Sequence, residues 1–171
     1  MRISKNKILY SPTDLNNFVS CKYHIKNDLL ADEKKFKKRE ISADLKLRIK
    51  YGIEHETKHF KLFKNKHNPS VTINNKLTDE KRFEATKQAL TKGYKLIYKA
   101  YFIEKNFRGE ADFLLRVNTK SDLGNYSYEV YDTKITKNLR PKHVLQITGY
   151  SYLLSKVQKL LPKHMYLIDG N

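Results

Sequence analysis

At Tyr94 the hydrophobic pattern of this 171-residue chain changes period. Before that point apolar residues recur in steps of three and four; from it to about residue 135 they alternate. The first spacing lines up on one face of an α-helix and the second on one face of a β-strand. A chain that carries both has to lay helices against a sheet.

The helical block begins with Ser11-Pro12-Thr13-Asp14. Ser11 is placed to cap, Pro12 suits the first turn, and Asp14 meets the free amides there. Leu15, Phe18, Val19, Ile25 and Leu29 follow at roughly helical spacing, and residues 34–40 are too charged to be buried. Leu45, Ile49, Gly52, Ile53, Glu56, Phe60 and Phe63 mark a long amphipathic helix, ended by a loop containing Asn68-Pro69. Thr78 caps a shorter helix with Phe83, Ala85, Ala89 and Leu90, and Gly93 stands where helices commonly stop.

In the alternating block, Leu96, Tyr98, Ala100 and Phe102 fall on one face of a strand. A turn near Glu104-Lys105-Asn106 leads to a second strand over 108–117, and a polar turn with Gly124 to a third over 126–135. Pro141 opens a helix carrying Val144, Leu145, Ile147, Leu153, Leu154 and Val157, Pro162 ends it, and 164–168 form a last strand. There is no internal repeat and no Pro/Gly/Ser linker, so 1–171 reads as a single domain, with a helical N-terminal part over 1–40 and a core over 41–171.

Thirty-five Lys and Arg against 18 Asp and Glu give a net charge of +17. With 39% hydrophobic residues, 12 Tyr and 8 Phe, the excess belongs to a folded body rather than a disordered basic tail. A positive surface attracts phosphates before any specific contact forms. Lys far outnumbers Arg and Asn is frequent, as coding bias would also produce. The lone Cys21 excludes an internal disulfide, a four-cysteine zinc site and an all-cysteine iron–sulfur cluster. Its surroundings read as a small apolar helix position rather than a reactive thiol. No run approaches the ~18 apolar residues of a membrane span and the first residues lead into no apolar signal region, so a cytoplasmic location without membrane contact is expected.

Four groups of residues carry candidate chemistry. In Tyr131-Asp132-Thr133-Lys134, alternation puts Asp132 and Lys134 on one face; the ordinary alternative is an exposed salt bridge. In Gly109-Glu110-Ala111-Asp112, the Asp interrupts an apolar strand, where a carboxylate must be paired, hydrated or bound to a cation, unless the strand is an exposed edge. Asp112 and Asp132 on neighbouring strands could hold Mg²⁺ or Mn²⁺ between them. On the long helix His55 could add a nitrogen ligand and Glu56 a further acid, although a lone helical His is commonly a surface or capping residue. Gln146 and Tyr150, four apart, share a helix face, an arrangement that packing alone would also give.

Taken together and in this order, His55, Gly109 to Asp112, Asp132-Thr133-Lys134 and Gln146 to Tyr150 resemble the RecB-like branch of the PD-(D/E)xK nuclease superfamily, whose members carry a helical His, a G-x-x-D strand, a D/E-x-K strand and a Q-x-x-x-Y helix. The segment from Tyr10 to Cys21 and the last one, from Tyr126 onward, resemble a bacterial group of predicted RecB-like nucleases, so the resemblance spans nearly the whole chain. It implies an α/β fold with a restriction-endonuclease-like core of helix, three strands, helix and strand, and extra N-terminal helices around a mixed central sheet. Relatives in that group are commonly longer, followed by an RNase H-like exonuclease domain or a helicase, which implies that this chain is the N-terminal part of a longer protein. Many relatives hold an iron–sulfur cluster through four cysteines; with Cys21 alone, none is expected here.

The activity implied is divalent-metal-dependent hydrolysis of DNA phosphodiester bonds, with exonuclease action and single-stranded DNA expected first, in repair, recombination or defence. By resemblance Asp112 and Asp132 are the main metal ligands, joined by His55 and the Thr133 carbonyl, with Glu56 tuning that shell. Lys134 orients the attacking water and offsets charge on the phosphate, while Gln146 and Tyr150 fix the substrate backbone. Two rival readings remain: an inactive nuclease-fold module that binds DNA or a protein inside a helicase or repair enzyme, and a basic RNA-associated protein, which leaves the paired acids unexplained.

Overall fold

The first capping signal works as its residues dictate. Ser11 Oγ accepts the Asp14 N–H, and the Asp14 carboxylate accepts the Ser11 N–H at 2.8 Å, a reciprocal capping box. The helix it starts, α1 (Pro12–Ser20), is shorter than the apolar spacing predicts. Cys21 is extended, with φ −161°, and a separate α2 (Lys22–Asp32) follows. Cys21 is therefore an exposed break between two helices and not a helix residue. A computed structural model describes residues 2–4, 7–32, 35 and 40–170 of the chain. Most of the charged segment 34–40 lies outside these; Lys35 and Glu40 are exposed.

Ahead of α1, β1 (Arg2–Ser4) and β2 (Lys7–Leu9) pair as an antiparallel ribbon that the apolar pattern does not announce. The long helix is α3 (Ala43–Lys66), capped by Ser42. Next comes a three-residue strand, β3 (Ser70–Thr72), again unannounced, then α4 (Asp79–Thr91), which Thr78 caps and Gly93 ends at φ +70°. β4 (Leu96–Glu104), β5 (Phe107–Val117) and β6 (Ser127–Thr133) form an antiparallel meander. The crossover helix α5 (Pro141–Gln158) then leads to β7 (Met165–Ile168), parallel to β6.

The result is α/β: a mixed five-stranded sheet ordered β3-β4-β5-β6-β7 with helices on both faces. One face carries the main core, where Ala89 and Leu90 of α4 and Ile147, Tyr150, Leu153 and Leu154 of α5 meet Ile97, Ala100, Phe102, Ala111, Leu114, Tyr128 and Val130. The other face carries a small cluster, in which Phe60 and Phe63 of α3 cover Leu96, Tyr98, Phe113 and Leu115. The single apolar face expected for Leu96, Tyr98, Ala100 and Phe102 is thus split between the two sides of the sheet. The change of side falls at Lys99, whose backbone is left-handed at φ 60°, a conformation that interrupts the pleat.

Candidate active site

Asp112 and Asp132 face each other where two strands part. The β5–β6 ladder runs to Phe113 opposite Tyr131 and stops one step short of them. Freed from that ladder, the Thr133 N–H donates to Asp112 Oδ2 at 3.0 Å, and the Thr133 hydroxyl donates to the same oxygen at 2.9 Å. The opposite oxygen, Oδ1, accepts Lys99 Nζ at 3.0 Å. Asp112 therefore ties three strands together and is no edge-strand surface residue, because β5 is the middle strand of the sheet.

Asp132 is 2% exposed and pairs with Lys134, in close contact with its ammonium. Lys134 stands one residue past the end of β6, where its N–H donates to the Ile168 carbonyl of β7 at 2.8 Å. Burial pushes the Asp132 carboxyl up to about 6, the Asp112 carboxylate adds to the push, and Lys134 and Lys99 restrain it. The expected pairing of Asp132 and Lys134 on one side is what the geometry has, partly buried rather than exposed.

Gln146 and Tyr150 come from α5. Gln146 Nε2 donates to the Tyr150 oxygen at 2.8 Å, so the phenol's own proton is directed elsewhere. Burial raises the pKa of Tyr150 against the help of Gln146, and the nearby carboxylates of Asp132, Asp112 and Glu110 raise it further; the group is a donor at neutral pH. Gly109 makes this approach possible. A Cβ there would lie 2.8 Å from Leu153 Cδ1 and 2.9 Å from Tyr150 Cδ1, so the glycine of the G-x-x-D strand lets β5 and α5 close upon each other.

Glu56 reaches the cluster from α3 through Lys99, its Oε1 lying 2.5 Å from Nζ. His55 is not joined to it. Among the described residues no hydrogen bond or ion pair links His55 to Asp112 or Asp132; its ring packs edge-on against His59 with centroids 4.6 Å apart, and its buried Nε2 has no partner. The roles of His55 as a ligand and of the Thr133 carbonyl remain expectations, since what Thr133 displays here is two donors to Asp112.

Three residues of the cluster escape the motif reading. Lys99 is the hub, 2.5 Å from Glu56, 3.0 Å from Asp112 and 3.5 Å from Glu110. Burial works against its charge, yet Asp112 and Glu56 outweigh that and hold the ammonium well above the usual lysine range. Glu110 also pairs with Arg82 of α4, whose guanidinium lies 4.2 Å from the Tyr101 ring centre. A signal for Lys99 exists in the sequence: it interrupts Leu96-Ile97-Tyr98-Lys99-Ala100-Tyr101-Phe102 in the way that Asp112 interrupts its own strand.

The ensemble is four carboxylates, Glu56, Glu110, Asp112 and Asp132, interleaved with three cations, Lys99, Lys134 and Arg82. Hard oxygen donors of this kind suit Mg²⁺ or Mn²⁺. Among the described residues, no three His, Cys, Asp or Glu side chains are already drawn in to metal-ligand spacing. No described helix is long and apolar enough to cross a membrane. Comparison of the chain with protein-family models, with curated proteins and with solved structures finds no match.

Proposed function

We propose that the chain is a divalent-metal-dependent nuclease of the RecB-like, PD-(D/E)xK kind, acting on DNA. The observation that carries this reading is the meeting of separate sequence motifs at one place. Asp112, Asp132, Thr133 and Lys134 converge where β5 and β6 part, with Tyr150 in electrostatic reach and Glu56 joined through Lys99. Folding alone does not require such a gathering of partly buried charge, which is costly to desolvate.

Asp112 and Asp132 would hold Mg²⁺ or Mn²⁺, with His55 Nε2, buried and without a partner among the described residues, a candidate nitrogen donor. When bound, such a cation polarises a phosphate oxygen and acidifies water. The chain's own groups do the rest. The Thr133 N–H and hydroxyl fix the Asp112 carboxylate in orientation. Lys134 supplies a positive charge against the phosphate as negative charge grows on it. Tyr150, its oxygen already taken by Gln146, offers its proton to a phosphate oxygen, a contact that positions the backbone and reads no base.

The +17 charge favours a polyanion, and single-stranded DNA is the substrate we put first. A following helicase or RNase H-like domain in a longer protein belongs to the same proposal, as does the absence of an iron–sulfur cluster. The neutralisation of the carboxylates by Lys99, Lys134 and Arg82 favours a second reading, an inactive module that keeps the fold and binds DNA.

Degradation of end-labelled single- and double-stranded DNA with Mg²⁺ or Mn²⁺ separates them. The expected result is cleavage abolished by EDTA and lowered at least about a hundredfold by Asp112→Ala and by Lys134→Ala at matched folding. Metal-independent binding without cleavage by the intact chain would establish the second reading.

A further inference from the structure

Lys99 combines two features that packing does not call for. Its left-handed backbone in the middle of a strand is a strained conformation for a residue with a side chain, which the surroundings must offset. The same conformation carries its ammonium in among Glu56, Glu110 and Asp112, at 2.5, 3.5 and 3.0 Å. A single point charge surrounded by three carboxylates from α3 and β5 has the coordination habit of a metal cation.

We propose that Lys99 is the built-in counter-cation of this site: its ammonium holds Glu56, Glu110 and Asp112 together when no divalent cation is bound, and it must withdraw for Mg²⁺ or Mn²⁺ to enter. The proposal rests on the metal-site reading given above and adds what sets the affinity. A second positive charge within about 4 Å of Lys99 Nζ would be repelled strongly in this partly buried place, so loading is an exchange of one cation for another.

Lysine suits such an exchange, being a compact charge on a flexible stem. The Lys99 side chain is 22% exposed, which leaves it a way out. Arg82, the other cation on Glu110, is 10% exposed and stacked over Tyr101, so it stays where it is. Lys134 meets Asp132 at the end of β6 and does not bridge elements as Lys99 does. Lys99 is thus a positioning residue: it gathers ligands and tunes their occupancy without acting on the substrate.

The test is Mn²⁺ binding to the whole chain, followed by the electron-paramagnetic signal of free Mn²⁺, in the wild type, Lys99→Met and Lys99→Arg. Lys99→Met should tighten binding about tenfold or more, the scale of removing one charge at this distance, and Lys99→Arg should stay near the wild type. Lys99→Met should also melt lower without Mn²⁺ and gain more from adding it than the wild type does. If Lys99→Met itself does not fold, Glu110→Gln and Lys99→Met/Glu110→Gln give the same comparison with the cluster's charge kept in balance. The double variant should then bind more tightly than the single one. Measurable wild-type binding that Lys99→Met leaves unchanged or weakens would overturn the exchange and spare the metal site. Absence of Mn²⁺ binding in both would remove the metal site and the exchange together.

Discussion

The helices α5 and α3 lie on opposite faces of one sheet and both bring residues to the same cluster, but they are held in different ways. α5 buries Ile147, Leu153 and Leu154 in the main core. Gln158, fully buried at its end, accepts the Tyr128 N–H and donates to the Tyr128 and Leu160 carbonyls, which locks the helix to β6. α3, although 24 residues long, has no buried residue. It rests on Phe60, stacked on Tyr98 with centroids 4.2 Å apart, on Phe63, edge-on to Phe113 at 5.1 Å, and on the Glu56–Lys99 pair. Leu45, Ile49 and Ile53 on the same helix are about half exposed. Gln146 and Tyr150 are therefore delivered by a rigid support, whereas Glu56 is delivered by one that a change of charge can shift.

The largest effect separating the two helices should appear in their apolar anchors. Leu154→Ala removes a fully buried side chain and should cost about 3 kcal/mol, against about 1 to 2 kcal/mol for Phe63→Ala, whose ring is only partly covered. Urea unfolding of both variants measures this. Equal costs would mean that α3 is fastened as firmly as α5.

A smaller effect, with a pH signature, is expected at the start of α5. The Arg140 N–H donates to His143 Nδ1 at 3.2 Å, and burial, with Lys134, Lys142 and Arg140 nearby, holds the imidazole below its usual range. The folded protein therefore keeps His143 neutral where the unfolded chain, titrating near 6.5, takes up a proton. This contribution is fully present above about pH 6.5 and is lost as the pH falls toward the lower folded value. Thermal unfolding of the wild type and His143→Gln across that range should show the difference between them shrinking on acidification; a constant difference would remove the titration from the account.

The smallest effect belongs to the outer side of α3. Ile53 is 59% exposed and lines an open hollow of about 510 Å³ with Thr57, Lys58 and Leu62. Ile53→Ser should change stability by no more than about 0.5 kcal/mol. A larger loss in the isolated chain would show that this side is covered in solution.

Much of this arrangement is legible residue by residue. Ser11, Thr78, Gly93 and Pro141 mark helix ends because they solve a local problem of unpaired amides or positive φ. The change of period at Tyr94 announces the meander for the same local reason. The candidates Asp112, Asp132, Lys134, Gln146 and Tyr150 stand out as charged or polar residues at fixed spacing on apolar elements. Less was legible where no local rule applies. β3 is three residues long and exists by pairing with β4, and the break at Cys21 has no proline or glycine to announce it. Alternation placed Leu96 and Phe102 on one side, and a single left-handed residue between them undid it.

From the sequence alone follow the meeting of helices with a sheet, the order of the longer elements, the helix starts at Ser11, Thr78 and Pro141, the stop at Gly93 and the short-range pairs, Asp132 with Lys134 and Gln146 with Tyr150, because each depends on residues a few positions apart. Only the tertiary structure decided that Asp112 bonds to Thr133, that Glu56 meets it through Lys99, that His55 joins no carboxylate by a hydrogen bond or ion pair among the described residues, and that half of a long apolar helix face stays open. Those outcomes depend on where distant elements stop, part and cross, and charge or hydrophobicity along a chain carries no record of the partner it will meet across a sheet.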